Sequence, residues 1–276
     1  MATYELKALG ELHWFLGIRV VRDRPNRTIW LSQESYIEQL AKRFHVDTNK
    51  KKYPSTPIAA TAVLSQNQEQ EKNQQRIMAY QQRVGSLGYA AITLRADIAK
   101  AHSKLSEFLT NPSPDHLAAA QHVITYLYGT KNYALRYSAS SLSLTGSVFD
   151  SSSDAAFADD ISRRSSYGYL FSLFGGAIDW KAAIQRSVTK STTEAELLAI
   201  SQAAGLLQWW NRFFAAINFN TEEKATLQCD NLQTVRILTK EAMKLDTKLK
   251  HVDVHQLWLR QEVEAGRIHV NWVPTA

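Results

Sequence analysis

Apolar residues recur along this chain at two periods. WFLGIRVV (residues 14–21) has the apolar density of a strand, a basic turn with Arg22, Arg24 and Arg27 follows, and a second short strand is expected over residues 29–31. Tyr36, Ile37, Leu40, Ala41 and Phe44 then return at helical spacing, with Ser32 as the expected N-cap. Residues 65–76, SQNQEQEKNQQR, have no apolar period and read as a polar linker. Residues 77–137 read as helical. In SPDHLAAAQHVITYLYGT, Ser113 can cap and Pro114 suits the first turn, while Leu117, Val123, Ile124 and Leu127 form a core-type stripe that Gly129 ends.

From about Leu142 the pattern changes to mixed strand and helix. GYLFSLFGGAIDW (residues 168–180) predicts a hairpin about a Gly175-Gly176 turn. A further strand is expected near residues 187–190, a helix over 193–214 and a strand over 225–229. Helices over 232–240 and 249–264 and a last strand over 268–273 complete the prediction. The order is three antiparallel strands, then helix, strand, helices, strand.

Composition narrows the class. With 276 residues the chain can form two ordinary domains, and 45% hydrophobic and 21% charged residues fit a globular protein rather than a disordered one. The formal charge of +6 makes a polyanion the simplest partner to infer, an ordinary basic surface being the alternative. Cys229 is the single cysteine, so no disulfide can form within the chain and an intracellular setting, cytoplasmic or nuclear, is expected. No apolar run approaches the roughly 18 residues a membrane span needs, no signal-peptide core is visible, and the eight histidines lack zinc spacing.

Three stretches place a carboxylate where a strand ends or a helix begins: SDAAFADD (residues 153–160), TEAELLAI (193–200) and CDN (229–231). Asp154, Glu196 and Asp230 can therefore converge at a sheet edge. Glu194 and Glu196 are about 200° apart around a helix, so one faces the site while the other can form a capping box with Ser191. A second capping box with Thr193 is the structural alternative for Glu196, and an N-cap the alternative for Asp230. Asp150, Asp159 and Asp160 crowd Asp154 and leave its register the least certain. Clustered hard oxygen ligands suit two divalent ions acting on a phosphodiester, and their mutual repulsion is tolerable only with metal bound.

Nearly the whole chain resembles the C-terminal part of the reverse transcriptase and ribonuclease H region of copia-type retrotransposon polyproteins. LGELHWFLGIRV (9–20), LSQESYIEQLAKRF (31–44) and STP (55–57) look like the segment after the polymerase active site. RVGSLGYAAITLRADIAKAHSKLSEFLTNPSPDH (83–116) and YLYGT (126–130) look like the helical connection. RRSSYGY (163–169), TEAELLAI, CDN and KHVDVHQLWLRQEV (250–263) look like the ribonuclease H domain.

The resemblance implies an α/β (α+β) chain. A reverse-transcriptase palm-end and thumb-like segment would occupy residues 1–64, a polar linker 65–76, a helical connection 77–140, and a ribonuclease H-like mixed sheet with flanking helices 141–276. It implies Asp154, Glu196 and Asp230 as catalytic and metal-binding residues for two Mg²⁺ or Mn²⁺ ions, and RNA/DNA hybrid and the remainder of the polyprotein as partners, with no membrane. Arg163, Arg164, Lys248 and Lys250 are candidate phosphate contacts, solvated surface being the alternative for each.

The family pattern adds a fourth aspartate on a helix after WVPT (272–275) and a paired-aspartate hairpin before residue 9. This sequence carries neither. Phe157-Ala158-Asp159-Asp160 imitates the pair from within the wrong domain, and Asp246 and Asp253 precede the last strand. Hydrolysis of RNA in hybrids without DNA synthesis is the expected activity. A non-catalytic nucleic-acid-binding remnant is the alternative.

Overall fold

The computed structural model describes residues 10–59, 64–140, 147–160, 163–221, 225–239 and 250–274. The apolar run at the start does not form one strand. It forms β1 (Trp14–Phe15) and β2 (Ile18–Asp23), joined by a turn in which Leu16 (φ 48°) and Gly17 (φ 78°) are both left-handed. Two such residues give a turn whose twist matches an antiparallel pair, and Phe15 sits opposite Ile18. Leucine is a costly residue there, and the Tyr89 hydroxyl holds it by donating to the Leu16 carbonyl at 2.6 Å.

β3 (Thr28–Ser32) pairs with β2 and leads into α1 (Glu34–Arg43). Ser32 remains in the strand, so Gln33 takes the cap position without a capping side-chain bond. α2 (Gln74–Thr93) begins inside the polar stretch, because the Asn73 side chain accepts from the Arg76 amide at 3.0 Å. The last three residues of the expected linker are therefore helical. α3 (Ala99–Ser106) and α4 (Pro114–Gly129) follow, the latter held by a Ser113–His116 capping box. β4 (Ala134–Ser138), which the helical pattern concealed, returns to pair with β3. Ile37, Leu40, Tyr80, Val84, Val123 and Leu127 share one buried cluster, so the apolar stripe of α4 faces a core that includes α1.

The second sheet contains β5 (Phe149–Ala156), β6 (Ser166–Leu173) and β7 (Gly176–Ile184), antiparallel, with β8 (Thr226–Cys229) and β9 (His269–Trp272). Its order is β7-β6-β5-β8-β9, with β8 parallel to β5 and β9 parallel to β8. A parallel step needs a long crossover. α5 (Thr192–Ala216) supplies the first, while α6 (Leu232–Leu238) and α7 (Lys250–Glu264) supply the second. Phe171, Leu197, Ile200, Leu207 and Leu227 form the core between sheet and helices. The α/β class and the mixed sheet with flanking helices are as expected.

Two local expectations fail here. Residues 187–190 are not a strand. Side-chain bonds fix this stretch instead: Gln185 donates to the Ala195 carbonyl at 2.8 Å, and the Ser165 and Thr189 hydroxyls meet at 2.7 Å. The β6–β7 turn is Phe174-Gly175 (φ 51° and 77°), one residue earlier than expected, and Gly176 belongs to β7.

Gly176 is required for another reason. A Cβ there would lie 2.5 Å from the Tyr137 ring and 2.7 Å from the Arg136 carbonyl oxygen, where β4 of the first sheet meets β7. The same seam carries Tyr137 Oη to the Ala177 carbonyl at 2.6 Å and Trp180 Nε1 to the Ala91 carbonyl at 2.7 Å. Gly176→Ala is expected to destabilise the protein by about 1–3 kcal/mol through overpacking. Urea unfolding measures it, and an unchanged midpoint would show that the seam yields.

Asp159 and Asp160 also belong to this seam. Asp159 accepts from the Ser166 amide and hydroxyl at 2.8 and 2.7 Å and pairs with Lys100, while Asp160 pairs with Lys104. The imitation polymerase motif thus ties its loop to α3.

Candidate metal centre

Each member of the carboxylate trio comes from a different element. Asp154 lies in β5 on its exposed side. Glu196 lies in the first turns of α5 and is buried, and Asp230 follows the last residue of β8. Ser191 caps α5 by accepting from the Glu194 amide at 3.2 Å, and the Glu194 carboxylate accepts from the Lys190 amide at 2.7 Å. Thr193 is inside the helix, so the second capping box does not form. Glu196 reaches across to β5, where its Oε1 accepts from the Ala155 amide at 3.2 Å.

The other structural alternative also fails. Asn231 caps α6, its side chain accepting from the Thr234 amide at 2.9 Å and the Thr234 hydroxyl at 3.1 Å. Asp230 is left one residue outside the helix, and Trp272 Nε1 donates to its carbonyl at 3.0 Å. β9 therefore anchors the strand end that presents Asp230.

One ligand atom each of Glu196, Cys229 and Asp230 lie within 4.8 Å of one another. Asp154 stands outside that circle but close enough for its charge to act on Glu196. Burial, and then the charge of Asp154, push the Glu196 carboxyl up to about 8; Asp230 adds to the rise and the Ala155 amide opposes it. A carboxyl so perturbed by neighbours of its own sign fits a site completed by a cation.

The donor chemistry decides which cation. Burial pushes the Cys229 thiol up to about 12, which disfavours the thiolate form a soft metal would bind. What remains is carboxylate oxygen, the donor set of a hard divalent ion such as Mg²⁺ or Mn²⁺.

The site has two open sides. A groove of about 380 Å³ is lined by Ser152, Asp154, Tyr169, Lys181, Gln228 and Asp230. A second hollow, of about 680 Å³, lies between α3 and the sheet, with Asp154 beside Lys100, Lys104, Glu107, Asp159 and Asp160. Both reach Gly168, which faces Asp154 across the β5–β6 ladder and adds no side chain there. The sequence pattern did not mark Lys181 and Gln228 as groove residues. The hairpin register, which sets Lys181 opposite Tyr169, was the available signal.

Of the candidate phosphate contacts, Arg163 is exposed in the β5–β6 loop at φ 59°, its amide donating to the Asp160 carbonyl at 2.8 Å. The carbonyl of half-buried Arg164 accepts from the Asp160 amide at 3.2 Å. Lys248, the side chain of Lys250, and Asp246 lie outside the described residues. Among the described residues, no helix is long and apolar enough to cross a membrane.

No protein-family model matches the chain. It is 36% identical over 278 residues to the retrovirus-related Pol polyprotein from transposon TNT 1-94 of Nicotiana tabacum, covering 99% of this chain and 20% of that protein. It is 30% identical over 274 residues to the Pol polyprotein from transposon RE1 of Arabidopsis thaliana, covering 99% of this chain and 18% of that one. The chain thus spans about a fifth of the length of the curated relatives it matches. The crystal structure of LC11-RNase H1 in complex with RNA/DNA hybrid overlays on 46% of this chain and 85% of its own, at 12% identity and a TM-score of 0.35. With matches running over 99% of its length, the chain belongs to the copia-type retrotransposon Pol polyproteins, of which it corresponds to one segment.

Proposed function

We propose that the part of the chain built on the second sheet hydrolyses the RNA strand of RNA/DNA hybrids, with Asp154, Glu196 and Asp230 holding two Mg²⁺ or Mn²⁺ ions. The observation that supports this reading is the approach of Glu196 of α5 to Asp230 at the end of β8, with Asp154 of β5 near enough for its charge to act on Glu196, whose proton is held first by burial and then by these neighbours. Bound there, a pair of divalent ions supplies an activated water and stabilises the leaving oxygen. The chain's own contribution is placement. The Ala155 amide orients Glu196, β9 anchors Asp230 through Trp272, and Gly168 leaves room beside Asp154. Arg163, Arg164, Lys248 and Lys250 are proposed to hold phosphates of the hybrid away from the reacting bond.

The test is cleavage of an end-labelled RNA/DNA hybrid in Mg²⁺ by the protein and by its Asp230→Asn variant, with a chelator control. Cleavage by the wild-type chain alone, abolished by chelation, is expected. Equal cleavage by both proteins removes the proposed site. Hybrid binding with no cleavage by either protein would favour a nucleic-acid-binding segment without catalysis.

A further inference from the structure

The loop from β5 to β6 stands between the carboxylate site and α3. Asp154 lies two residues before β5 ends at Ala156, and β6 begins at Ser166, opposite Ala156. Between them Ala158 (φ 48°) and Arg163 (φ 59°) are both left-handed, a conformation that neither alanine nor arginine favours. Contacts made outside the loop therefore hold its shape. Two sets of contacts do so, and they lead in opposite directions.

One set leads to Glu196. Ser165 is fully buried, and its hydroxyl accepts from the Ala158 amide at 3.1 Å and meets the Thr189 hydroxyl at 2.7 Å. Its carbonyl accepts from the Gln185 amide at 2.8 Å, and the buried Gln185 side chain donates to the carbonyl of Ala195, the neighbour of Glu196, at 2.8 Å. Glu196 in turn accepts from the Ala155 amide, back in β5. The loop, the start of α5 and the end of β5 thus form a closed ring of contacts around the acids.

The other set leads to α3. Asp160, whose side chain is 6% exposed, pairs with Lys104, which also reaches Glu107 at 3.3 Å. Lys100 pairs with Asp159 at 3.3 Å, but at 70% exposure that lysine contributes little. α3 is itself rooted through Ala101 and Leu105 in the core that α1, α2 and α4 share. Lys104–Asp160 is a sheltered ionic link between that core and the ring of contacts around the acids.

We infer that Lys104 and Asp160 are positioning residues for the metal centre: by pinning the β5–β6 loop to α3 they fix the spacing of Asp154 and Glu196, and with it the affinity for divalent ions. Carboxylates that repel each other separate when the backbone lets them, and a separated pair no longer chelates. The pin opposes that separation. By reciprocity, a bound ion should also tighten the contact with α3. Removing an outer partner of metal ligands typically costs 10–100-fold in affinity, and this pair acts one layer further out, so a loss of about tenfold is expected. The inference rests on the proposed function only for the metal-holding role of the three acids, and not for cleavage.

Titration of the whole chain with Mn²⁺, with the free ion followed by its electron paramagnetic resonance signal, reads this affinity without requiring cleavage. Lys104→Met and Asp160→Asn are each expected to weaken binding about tenfold. The double variant, which leaves neither charge buried alone, should lose about the same factor and not the product of the two. Lys104→Arg keeps the pair and should stay within about threefold of the wild type. Gly176→Ala disturbs the seam with the first sheet, roughly 17 Å along β6 from Gly168, and should leave the affinity within about twofold. That variant separates positioning from a general loss of stability. Unchanged Mn²⁺ affinity in the double variant would overturn the inference, as would an equal loss in Gly176→Ala. Binding that survives the double variant but vanishes in Glu196→Gln sinks the inference alone. A wild-type chain that binds Mn²⁺ with the expected dependence yet leaves hybrids intact sinks the hydrolase reading alone, and one that binds no Mn²⁺ overturns both.

Discussion

Glu196→Gln is expected to lower hybrid cleavage about 10²–10³-fold, the scale of losing one preorganised charge at a reaction centre, while making the metal-free protein more stable at pH 8. The sign follows from linkage. In the folded chain the carboxyl holds its proton up to about pH 8, against an ordinary value of 4.5. Below about pH 4.5 both folded and unfolded chains are protonated there, and the site carries no ionic cost. As pH rises through the window, the unfolded chain releases the proton first. Metal-free stability then falls progressively as pH rises from about 5 towards 8. The Gln side chain cannot ionise, so its melting temperature in EDTA should lack this decline between pH 5 and 8. Saturating Mg²⁺ should reverse the order, because only the carboxylate binds it. Parallel melting curves for the two proteins across that range would mean that Glu196 does not carry the repulsion.

Phe171→Ala should cost about 3–5 kcal/mol, the loss expected for a buried aromatic that leaves a cavity. Phe171 is fully buried in the middle of β6, stacked 6.0 Å from Phe149 and edge-on 5.6 Å from Tyr169, under the α5 residues Leu197 and Ile200. Phe171→Leu keeps most of the volume and should cost under about 1.5 kcal/mol. Chemical denaturation of both variants measures the difference, and equal losses would show that the core does not depend on the ring. β6 also carries Gly168 opposite Asp154, so the alanine variant should lose metal-dependent stabilisation before it unfolds.

The features legible in advance were those in which local chemistry and periodicity agree. Ser113 before Pro114 marked a helix start that the capping box realises, and the apolar positions of TEAELLAI marked the face α5 buries. Asp230 was ambiguous with an N-cap until Asn231, one residue later, took that role. The failures share another cause. Leu16 carries a left-handed turn that no apolar residue advertises, and it is held there by Tyr89, 73 positions away. ALRYS follows a helical run and becomes β4 only because β3, a hundred residues earlier, offers an edge. The hairpin turn moved to Phe174-Gly175 because Gly176 is needed where Tyr137 approaches.

The sequence by itself determined the long helices, the hairpin and central strands of the second sheet, the class of sheet and the three acidic residues worth comparing, since these depend on near-neighbour spacing and side-chain chemistry. Only the tertiary structure decided that Glu196 leans on the Ala155 amide, that Cys229 is buried beside it, and that four arginines gather around one turn. Those outcomes depend on strand register and burial, which arise from contacts between residues tens of positions apart and leave no local pattern.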